Sequence, residues 1–428
     1  MGVVDCRTVE TIESQLHFKN GVLEKCVAGE NRETIFRDFK GAWAVGTSKP
    51  SVVRAVSFLK TSSGASEILG PGRMADRDFT IRPLKIQESL EEKLSFVKWV
   101  ADILEAEGVK SEIIFADGVT TESFTNTTGE SPVLTQTIPQ TKLIFNAIAT
   151  EGDRMETALE VVAGLGGWEV VETLTEETIR ETARLAKNLL NAPAPKGGLQ
   201  PVVIDPHFAG VLAHEAFGHA AEADHVVAGA SVLTGKIGQQ VASPGVSILD
   251  DPTIKGGFGN YGFDRDGVVA RKNTVVNEGV LKTLLHNRHS AGQMKSESTG
   301  NCRGRVGQIR MSNTFFAPGD LKLEELLEDL KNGYLLIGSR GGTTSPATGF
   351  FNFTAKYGME VVNGEARGLV RGVALLGSTL ETLLKVSAIS RDFQLFPGTC
   401  GKGSEWARVS VGGPYLKTEA VVGGSPSG

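Results

Sequence analysis

Apolar positions recur at helical spacing in the first half of the chain and in short β-branched runs in the second. Leu90, Leu94, Val97, Ala101 and Leu104 share one helical face, and Gly108 sits where a C-terminal cap belongs. A second helix is expected from near Asp153 to Gly164. A third follows Thr175, with Glu176 and Glu177 in its first turn and Ile179, Ala183, Ala186 and Leu190 on one side. Val52 to Leu59 and Leu143 to Ile148 read as strands. The breaker-rich stretch Asn191-Ala-Pro-Ala-Pro-Lys-Gly-Gly198 is the expected linker. It divides the chain into an N-terminal α+β domain of residues 1–190, a linker of 191–198, and a C-terminal β-rich domain of 199–428.

Beyond the linker, Val361-Val362-Asn363-Gly364-Glu365 contains an Asn-Gly hairpin turn, and Val275 to Val280 reads as a slightly longer hairpin loop. Two helices stand out there. One covers roughly Lys322 to Asn332 and ends at Gly333; the other follows Ser378, which with Glu381 predicts a capping box. The chain holds 52 glycines in 428 residues, above the usual ~7%, and most of the excess lies after residue 197. The C-terminal half is therefore expected to be mainly antiparallel β, and the Gly-Gly-Ser-Pro-Ser-Gly tail to be disordered.

Composition narrows the partners. Lys plus Arg is 44 against 50 Asp plus Glu, a formal charge of −6 with no long basic run, which argues against nucleic acid and anionic membranes. No apolar stretch reaches 18 residues, and the N-terminus lacks the basic and apolar regions of a signal peptide. Cysteines at 6, 26, 302 and 400 make no disulfide framework for a chain this long, so a reducing cytoplasm is expected. The sequons at Asn126 and Asn352 carry no weight in that compartment. Gly257-Phe-Gly-Asn-Tyr-Gly262 satisfies the dinucleotide fingerprint GxGxxG, but it runs into a turn where the fingerprint needs a helix.

The chemistry concentrates in His214-Glu215-Ala216-Phe217-Gly218-His219. Two neutral imidazoles can hold a zinc ion while the adjacent carboxylate moves the proton of an attacking water. The familiar zinc-protease motif has one residue fewer. Five steps at about 100° each leave the two rings ~140° apart on a regular helix. Both reach one metal only if the helix widens into a π-like turn, which Gly218 would make cheap. The helix has a clear start: Val202-Val203-Ile204 reads as a buried strand, Asp205 as an N-cap, and Pro206 suits the first turn.

A catalytic zinc needs a third protein ligand. Residue type alone offers Glu222, three positions after His219; Cys302, with Arg303 and Arg305 close after it; and Cys400, in the turn-like Phe396-Pro-Gly-Thr-Cys-Gly-Lys-Gly403, where Lys402 would favour an accessible thiolate. Residue chemistry does not choose among them.

The C-terminal half resembles the TldD/PmbA family of zinc metalloproteases, in its metal-binding TldD-like branch. The resemblance rests on Val211-Leu-Ala-His-Glu-Ala-Phe-Gly-His-Ala-Ala-Glu-Ala-Asp224, Val241-Ala-Ser-Pro244, Gly262-Phe-Asp-Arg-Asp-Gly267, Arg310-Met-Ser-Asn-Thr314 and Gly398-Thr-Cys-Gly-Lys402. The N-terminal half matches in length and general pattern. The resemblance implies zinc bound by His214, His219 and Cys400, with Glu215 as the catalytic base. It leaves Cys302 a plain buried or exposed thiol, and makes Glu222 and Asp224 groups that orient a ligand histidine. The expected fold is α+β: an N-terminal α/β-sheet domain, then a mainly antiparallel, barrel-like and strongly twisted β domain carrying the HExxxH helix.

The implied activity is hydrolysis of peptide bonds in small or unfolded polypeptides, inside a chamber formed with a second copy or with a related metal-free subunit. His286, His289, Arg303 and Arg305 are candidates, by type alone, for stabilising the developing oxyanion. Two alternatives are a non-enzymatic regulatory subunit of such a complex, which the intact motif opposes, and a zinc amidohydrolase acting on a non-peptide amide.

Overall fold

A long β-hairpin, Val3–Lys19 and Val22–Phe39, turns at Asn20-Gly21, both with positive φ, and founds a seven-stranded sheet. In this computed structural model residues 3–39, 43–48, 69–85, 88–126, 132–304, 307–402 and 405–424 are described. The expected strand at 52–59, Arg305, the end of the first sequon and most of the tail lie outside them. Lys110–Asn126, Leu134–Glu151 and Arg154–Gly164 extend the sheet antiparallel from the founding hairpin. Helices Leu90–Ala106 and Glu176–Leu189 pack on it through Val97, Leu104, Ile179 and Ala183, all buried. Ser89 and Thr175 cap them as side-chain acceptors.

The helix expected from Asp153 to Gly164 is instead the strand Arg154–Gly164, antiparallel to Leu134–Glu151 with Leu143 opposite Val162. Met155, Leu159 and Val162 imitate helical spacing, but Gly152, at φ 59°, turns the chain back onto a neighbouring strand. The β-branched Thr157, Val161 and Val162 then suit the pleat better than a helix.

In the second half five strands close into a barrel: Asn332–Thr344, Gly198–Ile204, Leu416–Gly424, Val373–Ser378 and Phe350–Val362, the last pairing again with the first. All junctions are antiparallel except that between Asn332–Thr344 and Gly198–Ile204. Closure removes the exposed edges that an open sheet would leave. Asn363-Gly364 turns one hairpin as expected, and Glu278-Gly279 turns the other in two residues, tighter than expected. Helix Leu323–Leu330 lies within the expected range. Ser378 caps Thr379–Leu384, but no side-chain cap bond forms. A second, six-stranded sheet ends with Glu405–Gly413 and, at its edge, Gln394–Lys402.

The two halves meet across buried polar groups. The Arg37 guanidinium from the N-terminal sheet bonds Asp5 (2.9 Å) and Asp266 (2.8 Å). Residues 191–197 cross between the halves held by bonds, with Arg371 Nε donating to Ala192 O at 2.8 Å and Tyr334 Oη accepting from Lys196 N at 2.8 Å. Among the described residues no helix is long and apolar enough to cross a membrane.

Candidate metal centre

The barrel strand Gly198–Ile204 leads directly into the motif helix. The Asp205 carboxylate accepts from Phe208 N at 2.7 Å, and Pro206 takes the first helical position. Phe208, Leu212 and Phe217 are fully buried in the main core, each contributing about 1.5–3 kcal/mol of apolar burial. Gly210 lets the helix lie on bare backbone: a Cβ there would stand 2.0 Å from Gly412 N of the Glu405–Gly413 strand. That contact draws the hairpin carrying Cys400 against the helix.

At Leu212 the α-helix widens. Leu212–Gly218 is a π-helix, and His219 N donates to His214 O at 3.1 Å, a bond spanning five residues. The five-residue step between the histidines is one turn of this wider helix. Their rings therefore face each other, with centroids 5.3 Å apart and planes at 86°. Gly218 keeps an ordinary negative φ, so its role is space. A Cβ there would meet Met311 Sδ at 2.0 Å.

Cys400 completes the cluster from the Gln394–Lys402 strand, opposite Ala407 of the neighbouring strand. It is buried, in contrast to the accessible turn expected, because the glycine-rich run continues a hairpin strand whose pleat turns the thiol inward. Its Sγ lies 3.4 Å from His219 Nε2. Glu215, partly exposed, lies at the rim with Oε2 3.6 Å from His219 Nε2 and Oε1 4.0 Å from His214 Nε2. One ligating atom from each of His214, Glu215, His219 and Cys400 falls within 4.8 Å of the other three.

The electrostatics are those of a cation site. Burial opposes a thiolate at Cys400, but His214 and His219 outweigh it and hold the thiol down to about 5. Burial likewise opposes a charged His219, yet Cys400 and Glu222 push its pKa up to about 10. An imidazolium–thiolate pair thus supplies the countercharge that a bound cation would provide. Both nitrogens of the buried His214 lack a hydrogen-bond partner, costly for a polar ring unless it serves as a ligand. Two imidazoles and a thiolate form a donor set that fits zinc.

Behind His219, Glu222 Oε2 faces Nδ1 at 3.2 Å and is fully buried. Burial works against its charge, but His219, His225 and Lys402 hold the carboxylate well below the usual range. Lys402 Nζ bridges Glu222 (2.8 Å) and Asp224 (2.8 Å). Lys402 is thus committed to these carboxylates, and the thiolate is stabilised by the histidines, contrary to the expectation for Lys402. Glu222 touches a motif histidine as expected, whereas Asp224 reaches it only through Lys402.

The cluster opens into a cavity of about 740 Å³ between the halves, walled by Glu160 and Glu181 on one side and Tyr357 and Thr399 on the other. Residue type missed its floor. His207 stacks on Phe396 at 4.7 Å, and burial followed by Lys356 pushes its pKa down to about 3. Burial raises Asp205 to about 6 against the backbone N–H groups it caps. The available signal was spacing: His207 precedes His214 by seven residues, two helical turns. His286, His289 and Arg303 do not line this cavity. His286 Nδ1 lies 3.0 Å from Ser290 Oγ, and Arg303 donates to the Arg408 carbonyl at 2.8 Å. Cys302 is buried elsewhere, 3.2 Å from Asp266.

Residues 197–424 match the family described as PmbA/TldA metallopeptidase C-terminal domain. A Methanothermobacter thermautotrophicus protein named metalloprotease is 35% identical, covering 98% of this chain and 95% of its own. A Saccharolobus solfataricus protein named zinc metalloprotease TldD homolog is 31% identical over 65% of this chain and 63% of its own. Among solved structures, Thermococcus kodakarensis TldE superposes with a TM-score of 0.74 at 18% identity, covering 99% of this chain and 97% of that one. A Thermotoga maritima protein described as a modulator of a DNA gyrase gives 0.78 at 24%, covering 99% and 96%. At these identities the two structures speak for the fold.

Proposed function

Because the chain belongs to the PmbA/TldD metallopeptidase family, we propose that it is a zinc-dependent peptidase with His214, His219 and Cys400 as ligands and Glu215 as general base. The observation that carries this reading is the π-turn, which sets both imidazoles beside a buried thiolate and leaves Glu215 at the cavity rim. When bound, zinc supplies a Lewis acid that polarises a carbonyl and acidifies water. Glu215 takes the proton of the attacking water and returns it to the leaving amine. Glu222 holds His219 by Nδ1, so that Nε2 faces the cluster, and Lys402 fixes Glu222 in turn.

The substrate we assign is a small or unfolded polypeptide. Gln394–Lys402 is an edge strand, and residues Phe396 to Cys400 line the cavity, so an extended chain can add to that edge through main-chain bonds. A compact folded domain is far larger than a cavity of about 740 Å³. We further propose association with a second copy or a related metal-free subunit, in a reducing cytoplasm that suits a thiolate ligand and four free cysteines.

Metal content and cleavage of an unfolded-peptide pool test the reading together. Glu215→Ala should keep zinc and lose cleavage. Cys400→Ser should lose zinc, while Cys302→Ser keeps it. Full peptidase activity in Glu215→Ala, or zinc lost from Cys302→Ser and kept by Cys400→Ser, overturns the assignment. Zinc-dependent hydrolysis confined to non-peptide amides would favour an amidohydrolase.

A further inference from the structure

A second cavity, about 300 Å³, lies where residues Trp406 to Arg408 meet the N-terminal sheet. Three guanidinium groups wall it, from Arg265, Arg303 and Arg408. The carboxylates facing them are already engaged. Glu122 accepts from Arg7 Nη1 at 3.0 Å and from Gln136 Nε2 at 2.9 Å, with Arg265 Nε 3.7 Å away. Asp264 accepts from three backbone N–H groups, and burial with the neighbouring Asp266 charge pushes its pKa up.

Arg303 is also satisfied, bonding the Met311 and Arg408 carbonyls and lying 4.8 Å over the Tyr261 ring. Arg408 is different. Its side chain forms no hydrogen bond and no ion pair among the described residues, and its enclosed Nη1 has no acceptor. Its nearest recorded aromatic partner, Phe258, is 6.0 Å away. Burial and the Arg303 charge hold its pKa down to about 9, the sign of a cation without sufficient countercharge. The buried arginines 7, 37 and 310 each donate to at least one acceptor. Leaving the enclosed Nη1 donors and a positive charge unmatched is costly, and an oxyanion would satisfy both.

We propose that this cavity binds a small oxyanion, a phosphate or a carboxylate, between Arg408 and Arg265. A guanidinium fork matches either group in a bidentate fashion. The volume is about ten times the ~30 Å³ share of one water, enough for inorganic phosphate or the terminal residue of a peptide. The site is separate from the metal cluster, although Arg408 is paired in register with Thr399, the neighbour of Cys400.

Thermal unfolding and isothermal titration with inorganic phosphate, acetate and trialanine, at ionic strength matched with sodium chloride, provide the test. Wild type should show saturable binding and a raised Tm with at least one probe. Phosphate alone would mark a phosphate site; acetate and trialanine would mark a carboxylate site. Arg408→Gln should weaken binding at least tenfold while remaining as stable as wild type without anion, because an unmatched charge is gone. Arg265→Gln, which also alters the cavity lining, should weaken the same titration. Binding should survive chelation and the Glu215→Ala change, so failure of the peptidase reading would leave it intact. The proposal is overturned if no probe outperforms chloride, if Arg408→Gln binds like wild type, or if chelation abolishes binding.

Discussion

Replacing Gly218 by alanine isolates what the π-turn needs from its glycine. Two effects oppose each other. Alanine is favoured over glycine inside a helix by about 1 kcal/mol, and Gly218 has a φ that alanine accepts. Against this, the new Cβ would lie 2.0 Å from Met311 Sδ and 3.2 Å from Ala213 O. Met311 is buried in the main core, so its sulfur must move well over an ångström within packed surroundings. Overpacking of that kind costs about 1–3 kcal/mol, enough to outweigh the helical gain. The expected net is a loss of about 0–2 kcal/mol, with weakened zinc binding if the turn shifts the rings. Met311→Ala removes the obstacle at a cavity cost of its own, about 2–5 kcal/mol. In that background Gly218→Ala should be neutral or stabilising. The assay is a double-mutant cycle by urea unfolding, with zinc content measured on all four proteins. If Gly218→Ala stabilises wild type, or is equally harmful without Met311, steric room is not the reason for the glycine.

Three other substitutions probe the surroundings of the site. Lys402→Met leaves the buried Glu222 carboxylate without its ammonium partner and should cost about 3–5 kcal/mol; zinc affinity should fall about 10–100-fold in a chelator competition. Arg37→Met strands Asp5 and Asp266 between the two halves and should cost a similar ~3–5 kcal/mol in urea unfolding. His207 is held neutral, its pKa lowered from 6.5 to about 3. The unfolded chain therefore takes up a proton that the folded one refuses, and stability contributed by His207 falls as pH drops from 6.5 towards 3. His207→Phe, which keeps a ring against Phe396, should flatten that acid limb in thermal unfolding from pH 7 to 4; an unchanged slope would refute the assignment.

The motif helix was legible residue by residue. Asp205 and Pro206 marked its start, and the five-residue step between His214 and His219 already required a wider turn. What lay beyond sequence was spatial. Cys400 is 181 positions from His219, and only the hairpin pairing of Gln394–Lys402 decides that its thiol points inward. Gly218 read as a backbone hinge because nothing local discloses Met311 beside it. Residues 154–164 carried a helical pattern of apolar positions, and a distant partner strand decided otherwise. His207 went unnoticed because its signal, two turns from His214, means little until the cavity is seen. In each case the deciding contact came from a neighbour remote in sequence.

The closed barrel also governs when the centre can form. The strand that launches the motif helix, Gly198–Ile204, is bracketed by Asn332–Thr344 and by Leu416–Gly424, with Ile204 opposite Leu416. A nascent chain that has emerged only as far as Lys402 already holds both histidines, Glu215 and Cys400, yet lacks the stave that closes the barrel. It also lacks Glu405–Gly413, the strand that pairs with the cysteine and seats the helix through Gly412. Pairings this remote in sequence form late, because loop closure must precede any gain from them. On the proposed reading, the cluster of His214, Glu215, His219 and Cys400 is thereby withheld until residues 405–424 are in place.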